Sequence, residues 1–492
     1  VAGTNHRHPV LDHRLGAGRH RPRHAEIEVT MILPESMRDK TVAVMGLARS
    51  GLAAARALTS AGALAACWDD NAGRRAAATE AGIWVLPLEG RDWSATDLLV
   101  WSPGVPHLHP RPHAAALAAR AAGCPIVCDI ELLWRSQPHA RFIGITGTNG
   151  KSTTTALIAH ILNEAGVTAD AGGNIGKPAM SLRPFGPEGT YVIEMSSYQL
   201  ELVPTIHFET AVFMNVSADH LDRHGGMHGY VAAKRRIFQG QGPNDTAVVG
   251  ADDAFGRHVL ADLRDRRSQR VIPISSHQAV PGGVWADNGL LIDDLDDRRL
   301  AVADLTSIPT LPGAHNWQNA AAAYAVARAA TVPAEQAVRA LQSYPGLPHR
   351  QERVTTIHGI RYVNDSKATN AESAARALAC YDNIYWIAGG LPKEGGITSL
   401  ASFFPRIRHA FLVGQASEAF ADTLGRTVPH TRSGTLEQAV NDAHALAQSE
   451  RRPGAVVLLS PACASFDQWP DFEARGDAFR AAATALNAED AG

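Results

Sequence analysis

Three α/β units in succession are predicted by this sequence, and three observations predict them. Apolar, β-rich runs alternate with Ala/Leu-rich helical stretches, the pattern of parallel sheets flanked by helices. Several of those runs stop at glycine turns, where open sheets of this kind bind ligands beyond the strand C-termini. With 492 residues, the chain is also about three times a typical ~150-residue domain.

The composition narrows the function classes. Hydrophobic residues make up 45% of the chain and charged residues 19%, which excludes a disordered or collagen-like protein. The 46 Lys+Arg against 49 Asp+Glu leave a net charge of -3, too little positive field to hold a nucleic-acid backbone nonspecifically. No apolar run reaches the ~18 residues that span a bilayer. The five cysteines, Cys67, Cys124, Cys128, Cys380 and Cys463, are odd in number and dispersed, as expected for reduced thiols. Cys124 and Cys128 flank an apolar Pro125-Ile126-Val127 strand and lack a second pair, so they read as buried rather than metal-binding. A cytoplasmic, monomeric protein with neither nucleic-acid nor membrane partners is expected.

Residues 1–36 are rich in His, Arg and Pro without apolar periodicity, and are expected to be a disordered tail or a mis-assigned start, with Met31 or Met37 as the true one. The irregular spacing of His6, His8, His13, His20 and His24 argues against a metal site. The first unit, 37–138, opens with a strand at Lys40–Gly46, a glycine turn and a helix over Leu52–Ala61. Strands at Leu64–Trp68 and Asp97–Trp101 follow, then a helix at Asp129–Arg135. The second unit, 139–346, has strands at Phe142–Thr146, Tyr191–Ile193, Ala211–Met214 and Ala247–Val249. The third, 347–492, begins after Tyr344-Pro345-Gly346-Leu347-Pro348 and has strands at Ile360–Val363, Ile384–Ala388, Ala410–Val413 and Ala455–Leu459.

The most informative segment runs from Gly144 to Thr154, between a strand and a helix expected near Thr155. Its glycines let successive backbone N–H groups face one anion, the helix N-terminus adds its dipole, and Lys151 supplies a point charge. Ser152 follows as a hydroxyl able to ligate magnesium. Ile145 occupies the first glycine position of G-x-x-x-x-G-K-[ST], which disfavours a motor or GTPase loop.

Gly147-Thr148-Asn149-Gly150-Lys151-Ser152 resembles the ATP loop of the Mur ligases. Further motifs follow in family order: Glu194-Met195-Ser196-Ser197-Tyr198-Gln199-Leu200, Asn215 to Arg223, His315-Asn316-Trp317-Gln318-Asn319, Asn364 to Asn370 and Ser460 to Asp467. The resemblance runs from about Arg38 to the C-terminus, and the Ser-Ser-Tyr-Gln and Ser460 segments are similar to the D-glutamate-adding branch. It implies a Rossmann-like UDP-binding domain, a central P-loop-type ATPase domain and a C-terminal Rossmann-like domain. It further implies an ATP-dependent amide ligase adding D-glutamate to UDP-N-acetylmuramoyl-L-alanine through an acyl phosphate, in peptidoglycan precursor synthesis. ATP and Mg2+, as two ions, are the implied cofactors.

The resemblance also assigns residues. Lys151, Glu194, His220 and Lys234 would be catalytic; Ser152, Glu194, His220 and Lys234, the last as a carbamate, would hold the metal. A carbamate needs a neutral amine and hence a depressed lysine pKa; without the resemblance, Lys234 beside two arginines reads as a solvated helix face. Gly147, Thr148, Asn149, Gly150, Lys151, Ser152 and Thr153 would cradle ATP phosphates. Asn316 and Asn319, three apart on a helix, would face adenine, with a helix N-cap at Asn316 as the plainer alternative. Arg350 would reach the phosphates and Asp365 the ribose. Arg49, Ser50, Asp69, Asp70, Ser102, Gly104 and Asn174 would hold the UDP substrate, and Lys367, Thr369, Lys393, Ser465 and Phe472 the D-glutamate. Gly46-Leu47-Ala48-Arg49-Ser50-Gly51 resembles a dinucleotide fingerprint, but Ala48 replaces the glycine that admits a pyrophosphate, which disfavours a nicotinamide cofactor.

The alternatives are another Mur ligase, a folylpolyglutamate synthetase-like ligase, or a nucleotide-binding regulator without catalysis. The missing Asp-Asn-Pro-Arg segment disfavours the diaminopimelate-adding enzyme, and Asn149 the L-alanine-adding one. The N-terminal glycine-turn unit disfavours the folate enzyme. Retention of Glu194, His220 and Lys234 disfavours the regulator.

Overall fold

The strand and helix runs assemble into three sheets, seen in a computed structural model that describes residues 31–296 and 298–489. The five histidines of the N-terminal stretch lie outside the described residues. The first sheet contains β1 (Thr41–Met45), β2 (Leu64–Trp68), β3 (Leu98–Trp101) and the short β4 (Ile126–Val127), all parallel in the order β2-β1-β3-β4. A glycine turn at Gly46 (φ +89°) leads into the helix Arg49–Ser60. That helix lies so close to β1 that a Cβ on Gly51 would stand 1.7 Å from the Gly46 carbonyl oxygen. Gly51 thus permits the tight helix–strand packing of a nucleotide-binding turn.

The middle sheet has nine strands: β5 (Arg141–Thr146), β6 (Ala169–Gly173), β7 (Thr190–Glu194), β8 (Thr210–Phe213), β9 (Thr246–Gly250), β10 (Arg270–Ser275), β11 (Val284–Asp287), β12 (Leu290–Asp293) and β13 (Leu300–Asp304). Their order is β13-β12-β11-β10-β9-β8-β5-β7-β6, parallel except where β12 runs against β11 and β13. This order positions the site. The loop after β5 emerges between the C-terminal ends of β7 and β8, so Glu194 flanks it on one side and the Asn215–His220 loop on the other.

The third sheet joins β14 (Glu352–Ile357), β15 (Ile360–Asn364), β16 (Ile384–Gly389), β17 (Ile407–Val413), β18 (His430–Gly434) and β19 (Val456–Leu459) in the order β14-β15-β19-β16-β17-β18. Only β14 is antiparallel, turning into β15 through His358 (φ +48°) and Gly359 (φ +79°).

The cores are distributed unevenly. One continuous apolar cluster runs from the first sheet (Val44, Leu99) through Leu132 to the near face of the middle sheet (Phe142, Tyr191, Phe213). The two clusters of the third unit contain residues of that unit alone. Ile32 is fully buried in the shared cluster, so order in the first unit begins before the boundary expected at residue 37. Burial of an isoleucine contributes roughly 1.5–3 kcal/mol, enough to fix the segment around it.

Polar ties reinforce the shared core. Arg223 of the middle unit donates to the carbonyls of Pro103 (3.2 Å) and Gly104 (3.3 Å) in the first. His107 Nε2 lies 3.4 Å from Glu201, whose other oxygen meets His224 Nδ1 at 3.0 Å. Desolvation holds the buried His107 down at about 4, so it is neutral at physiological pH.

Candidate active cleft

The phosphate loop is shaped by its neighbours. Thr148 N–H donates to the Asn215 carbonyl at 2.8 Å, and Asn149 N–H to Asn215 Oδ1 at 3.0 Å. Gly150 adopts φ +82°, and a Cβ there would stand 2.2 Å from Asn319 Oδ1. The helix begins at Lys151, four residues earlier than expected, with Gly150 as an N-cap that supplies no side-chain acceptor. Its first N–H groups are therefore available to an anion.

Lys151 Nζ curls back to the carbonyls of Gly147 (3.0 Å) and Thr148 (2.9 Å). Lys234 Nζ donates to the same Gly147 carbonyl at 2.8 Å and lies 4.5 Å from the Tyr230 ring. The helix Met227–Arg235 carries Lys234 inward, leaving it 1% exposed; a solvated helix face does not describe it. Burial first, and then the Lys151 charge, hold the Lys234 amine well below the ordinary lysine range. Burial likewise lowers Lys151, against the opposing pull of Glu194.

Glu194 closes β7 and is 2% exposed. Its Oε1 accepts from Asn174 Nδ2 at 2.8 Å, whereas the buried Oε2 has no hydrogen-bond partner. A desolvated carboxylate oxygen of this kind is costly unless a cation meets it. Ser152 and His220 line the same cleft. His220 has φ +52° and Nε2 3.4 Å from Asp219, and desolvation lowers its pKa. Among the described residues no cluster of three His, Cys, Asp or Glu side chains forms a ready metal cage. The arrangement instead suits magnesium, which takes one or two carboxylates and leaves its other positions to water and substrate phosphates.

The cleft, about 540 Å³, is walled by the middle unit (Thr148 to Thr153, Asn174, Glu194, Asp219, His220, Asn316, Asn319) and the third (Arg350, Asp365, Lys367, Thr369, Phe472). Asn316 and Asn319 share a face of the helix Ala314–Ala329, whose N-cap is Gly313, not Asn316. Their amides are engaged: Asn316 Nδ2 donates to the Pro312 carbonyl (2.7 Å), and Asn319 Nδ2 to Asn316 Oδ1 (2.9 Å). Each amide nitrogen keeps a second proton. Asp365 accepts from Ser460 Oγ at 2.8 Å and from Gln351 N–H at 3.2 Å, and burial pushes it up to about 7. Lys367 Nζ lies 5.2 Å from the Phe472 ring.

Other expected site residues lie elsewhere. Lys393 and Ser465 do not line the cleft. The turn through Gly395 (φ +83°) and Gly396 (φ +53°) leaves Lys393 exposed. Ser465 is buried, with its carbonyl accepting from the N–H groups of Gln468 and Trp469. Of the seven residues expected to hold UDP, only Asn174 lines this cleft. Arg49 donates to the Gly176 carbonyl, Ser102 Oγ to the Gly46 carbonyl, and the Gly104 carbonyl is held by Arg223. Ser50 is half-buried in the first turn of the helix Arg49–Ser60, and Asp70 is exposed, 3.3 Å from His113 Nε2.

Asp69 faces inward. It is 4% exposed, and its carboxylate accepts from the N–H groups of Leu47 (2.7 Å) and Asn71 (2.8 Å), fixing the turn after β1. Asp69→Ala is expected to lower stability by about 1–3 kcal/mol, because it strands the buried Leu47 N–H. A drop in the denaturant midpoint checks this.

Sequence reasoning missed Thr310, His315, Tyr344, Glu372 and Arg376, all of which line the cleft. His315 is the first residue of the motif that carries Asn316 and Asn319. Burial holds it down at about 4.

Residues 145–327 match the Mur ligase middle domain family, and residues 349–463 the Mur ligase glutamate ligase domain family. The UDP-N-acetylmuramoylalanine–D-glutamate ligase of Paramagnetospirillum magneticum is 53% identical over 92% of this chain and 97% of its own. That of Rhodospirillum rubrum is 52% identical over 89% and 93%. Among solved structures, UDP-N-acetylmuramate-alanine ligase from Thermotoga maritima is 17% identical, with a TM-score of 0.56 over 91% of this chain and 99% of its own, a likeness of fold.

Proposed function

The chain belongs to the Mur ligase family, and from that membership we propose that it is an ATP-dependent ligase joining D-glutamate to UDP-N-acetylmuramoyl-L-alanine in peptidoglycan precursor synthesis, in the cytoplasm. The choice of D-glutamate rests on similarity to the ligases of that name across nearly the whole chain. The observation that carries the chemistry is the meeting of Lys151, Glu194 and His220 from the middle unit with Arg350, Asp365 and Lys367 from the third in one cleft.

The carboxylate oxygen of the acceptor's L-alanine attacks the γ-phosphorus of ATP, ADP leaves, and an acyl phosphate forms. The D-glutamate amine then attacks the acyl carbon, loses a proton, and displaces inorganic phosphate as the amide forms. Neither step needs a protein nucleophile; both need charge neutralisation and alignment. The loop N–H groups, Lys151 and Arg350 hold the phosphates. Asn316 and Asn319 face adenine with their remaining amide protons, and Asp365 meets the ribose. Ser152, Glu194 and His220 would hold magnesium, with Lys234 supporting a second ion once carbamylated. Magnesium bound there neutralises phosphate charge and orients the γ-phosphoryl group. Lys367, Thr369 and Phe472 receive the incoming amino acid.

Phosphate release from ATP is expected only when UDP-N-acetylmuramoyl-L-alanine and D-glutamate are both present. Comparable release without D-glutamate, or with another amino acid in its place, would reject this assignment.

A further inference from the structure

The third unit brings into the cleft a cation that no motif flagged. Arg376 lies on the helix Ala371–Cys380, whose first turns, through Asn370, Glu372 and Ser373, also border the cleft. An i,i+4 pair with Glu372 would ordinarily lie on a solvated face, yet the Arg376 side chain is 26% exposed against 60% for Glu372. The arginine lines the same cleft as Lys151, Arg350 and Lys367, near enough to Arg350 and Lys151 for their charges to be felt. Burial, and after it the charge of Arg350, lower its pKa relative to an ordinary arginine, against the opposing Glu372.

Cations gathered around one cleft repel one another unless negative charge lies between them. Asp365 is already engaged by Ser460 and the Gln351 N–H, and burial pushes it up to about 7. Glu194 stands on the Lys151 side, held by Asn174. The carboxylate that Arg376 meets is Glu372, and the geometry there is specific. Glu372 Oε1 accepts from Arg376 at 3.1 Å and from Asn149 Nδ2 of the phosphate loop, also at 3.1 Å. One anionic oxygen is thus held jointly by the phosphate loop and the third unit.

We propose that Arg376 is a further polyphosphate-binding residue, supplied by the third unit and paired with Glu372 before a polyphosphate binds. This deepens the reading of the cleft as an ATP site and rests on it. A planar guanidinium beside the loop gives two parallel donors to phosphate oxygens, which a lysine at the same place would not reproduce. Glu372 has the opposite effect: its charge disfavours the polyphosphate, so ligand binding draws Arg376 away from it.

Calorimetric titration of the full chain with adenosine, AMP, ADP and ATP, each with magnesium, tests the assignment. Arg376→Ala is expected to leave adenosine affinity within about twofold and to weaken ATP by ~10- to 100-fold, the usual range for a lost hydrogen bond to a charged group. The loss should grow with the number of phosphates, Arg376→Lys should recover part of it, and Glu372→Gln should tighten ATP severalfold. Equal losses for adenosine and ATP, or unchanged ATP affinity, would overturn the proposal. Should Arg376→Ala not fold, Arg376→Gln keeps the stem and gives the same comparison. A wild-type chain that does not bind ATP overturns the ATP-site reading and this proposal with it; wild-type binding with an indifferent Arg376→Ala removes only the proposal.

Discussion

Glu194→Gln is expected to lower ligase turnover by about 10³-fold or more while leaving the metal-free protein at least as stable as the wild type. The two effects have one cause. Oε2 of Glu194 is desolvated and without a hydrogen-bond partner, so in the metal-free fold it is answered only through space, by charges such as those of Lys151 and Lys234, and a bound metal ion would answer it directly. Losing one preorganised electrostatic group in such a site typically costs 10²–10³ in rate, and loss of a metal ligand adds to that. The neutral amide keeps an acceptor for Asn174 and removes the desolvation penalty. Melting curves recorded with and without magnesium and ATP check this: the ligand-induced rise in Tm should shrink in the variant. A lower Tm without ligand, with the full ligand-induced rise retained, would make Glu194 a structural residue.

Lys234→Ala is expected to lower turnover by on the order of 10²–10³-fold, with partial recovery on adding a short carboxylic acid. Lys234 and Lys151 both donate to the Gly147 carbonyl, and two ammonium groups so placed repel each other. Burial and the Lys151 charge both favour the neutral Lys234 amine, whose lone pair can attack CO2, forming an N–C bond and releasing one proton. The resulting carboxylate carries negative charge where an ammonium would repel magnesium. In 13C NMR with labelled bicarbonate, a carbamate resonance should appear in the wild type and be absent from the variant. No rescue and no resonance in a folded protein would remove the carbamate role.

The same lysine sets a pH dependence. Its folded pKa lies below its unfolded value, so between the two the unfolded chain binds more protons and stability rises with pH. Metal-free protein should therefore gain stability as pH rises toward the ordinary lysine pKa of about 10. Lys234→Met should flatten that slope and be the more stable form at pH 7.

How far the sequence was legible depended on how local each signal was. The strands of the parallel cores, such as β1, β7 and β16, are dense Val/Ile/Ala runs and were read to within a residue or two. β6 escaped because Ala169-Asp170-Ala171-Gly172-Gly173 has little β propensity and lies at a sheet edge. Pro273 hid β10, since proline normally argues against an interior strand. β14 was legible in principle: His358-Gly359 is a two-residue hairpin turn with both φ values positive. At the cleft, the phosphate loop, Glu194 and the asparagine pair each sit in a compact local motif that the sequence singles out, and all of them line it. Arg376 was not singled out, because a helical Arg four residues after a Glu looks like an ordinary surface pair until the third unit faces the middle one. The structural role of Asp69 was hidden for a related reason: only the fold shows that its carboxylate turns back to the Leu47 N–H.

The apolar cluster shared by the first two sheets has a consequence for inheritance. Since the first and middle sheets share one apolar body, a substitution on either side is felt by both, and on the function proposed above sugar-nucleotide and phosphate recognition would have to diverge together. The third sheet is buttressed by its own residues alone. On the same proposal, the residues it offers to the incoming amine could drift or be exchanged without repacking the rest, which would give a lineage of such ligases a cheap way to change the monomer it adds.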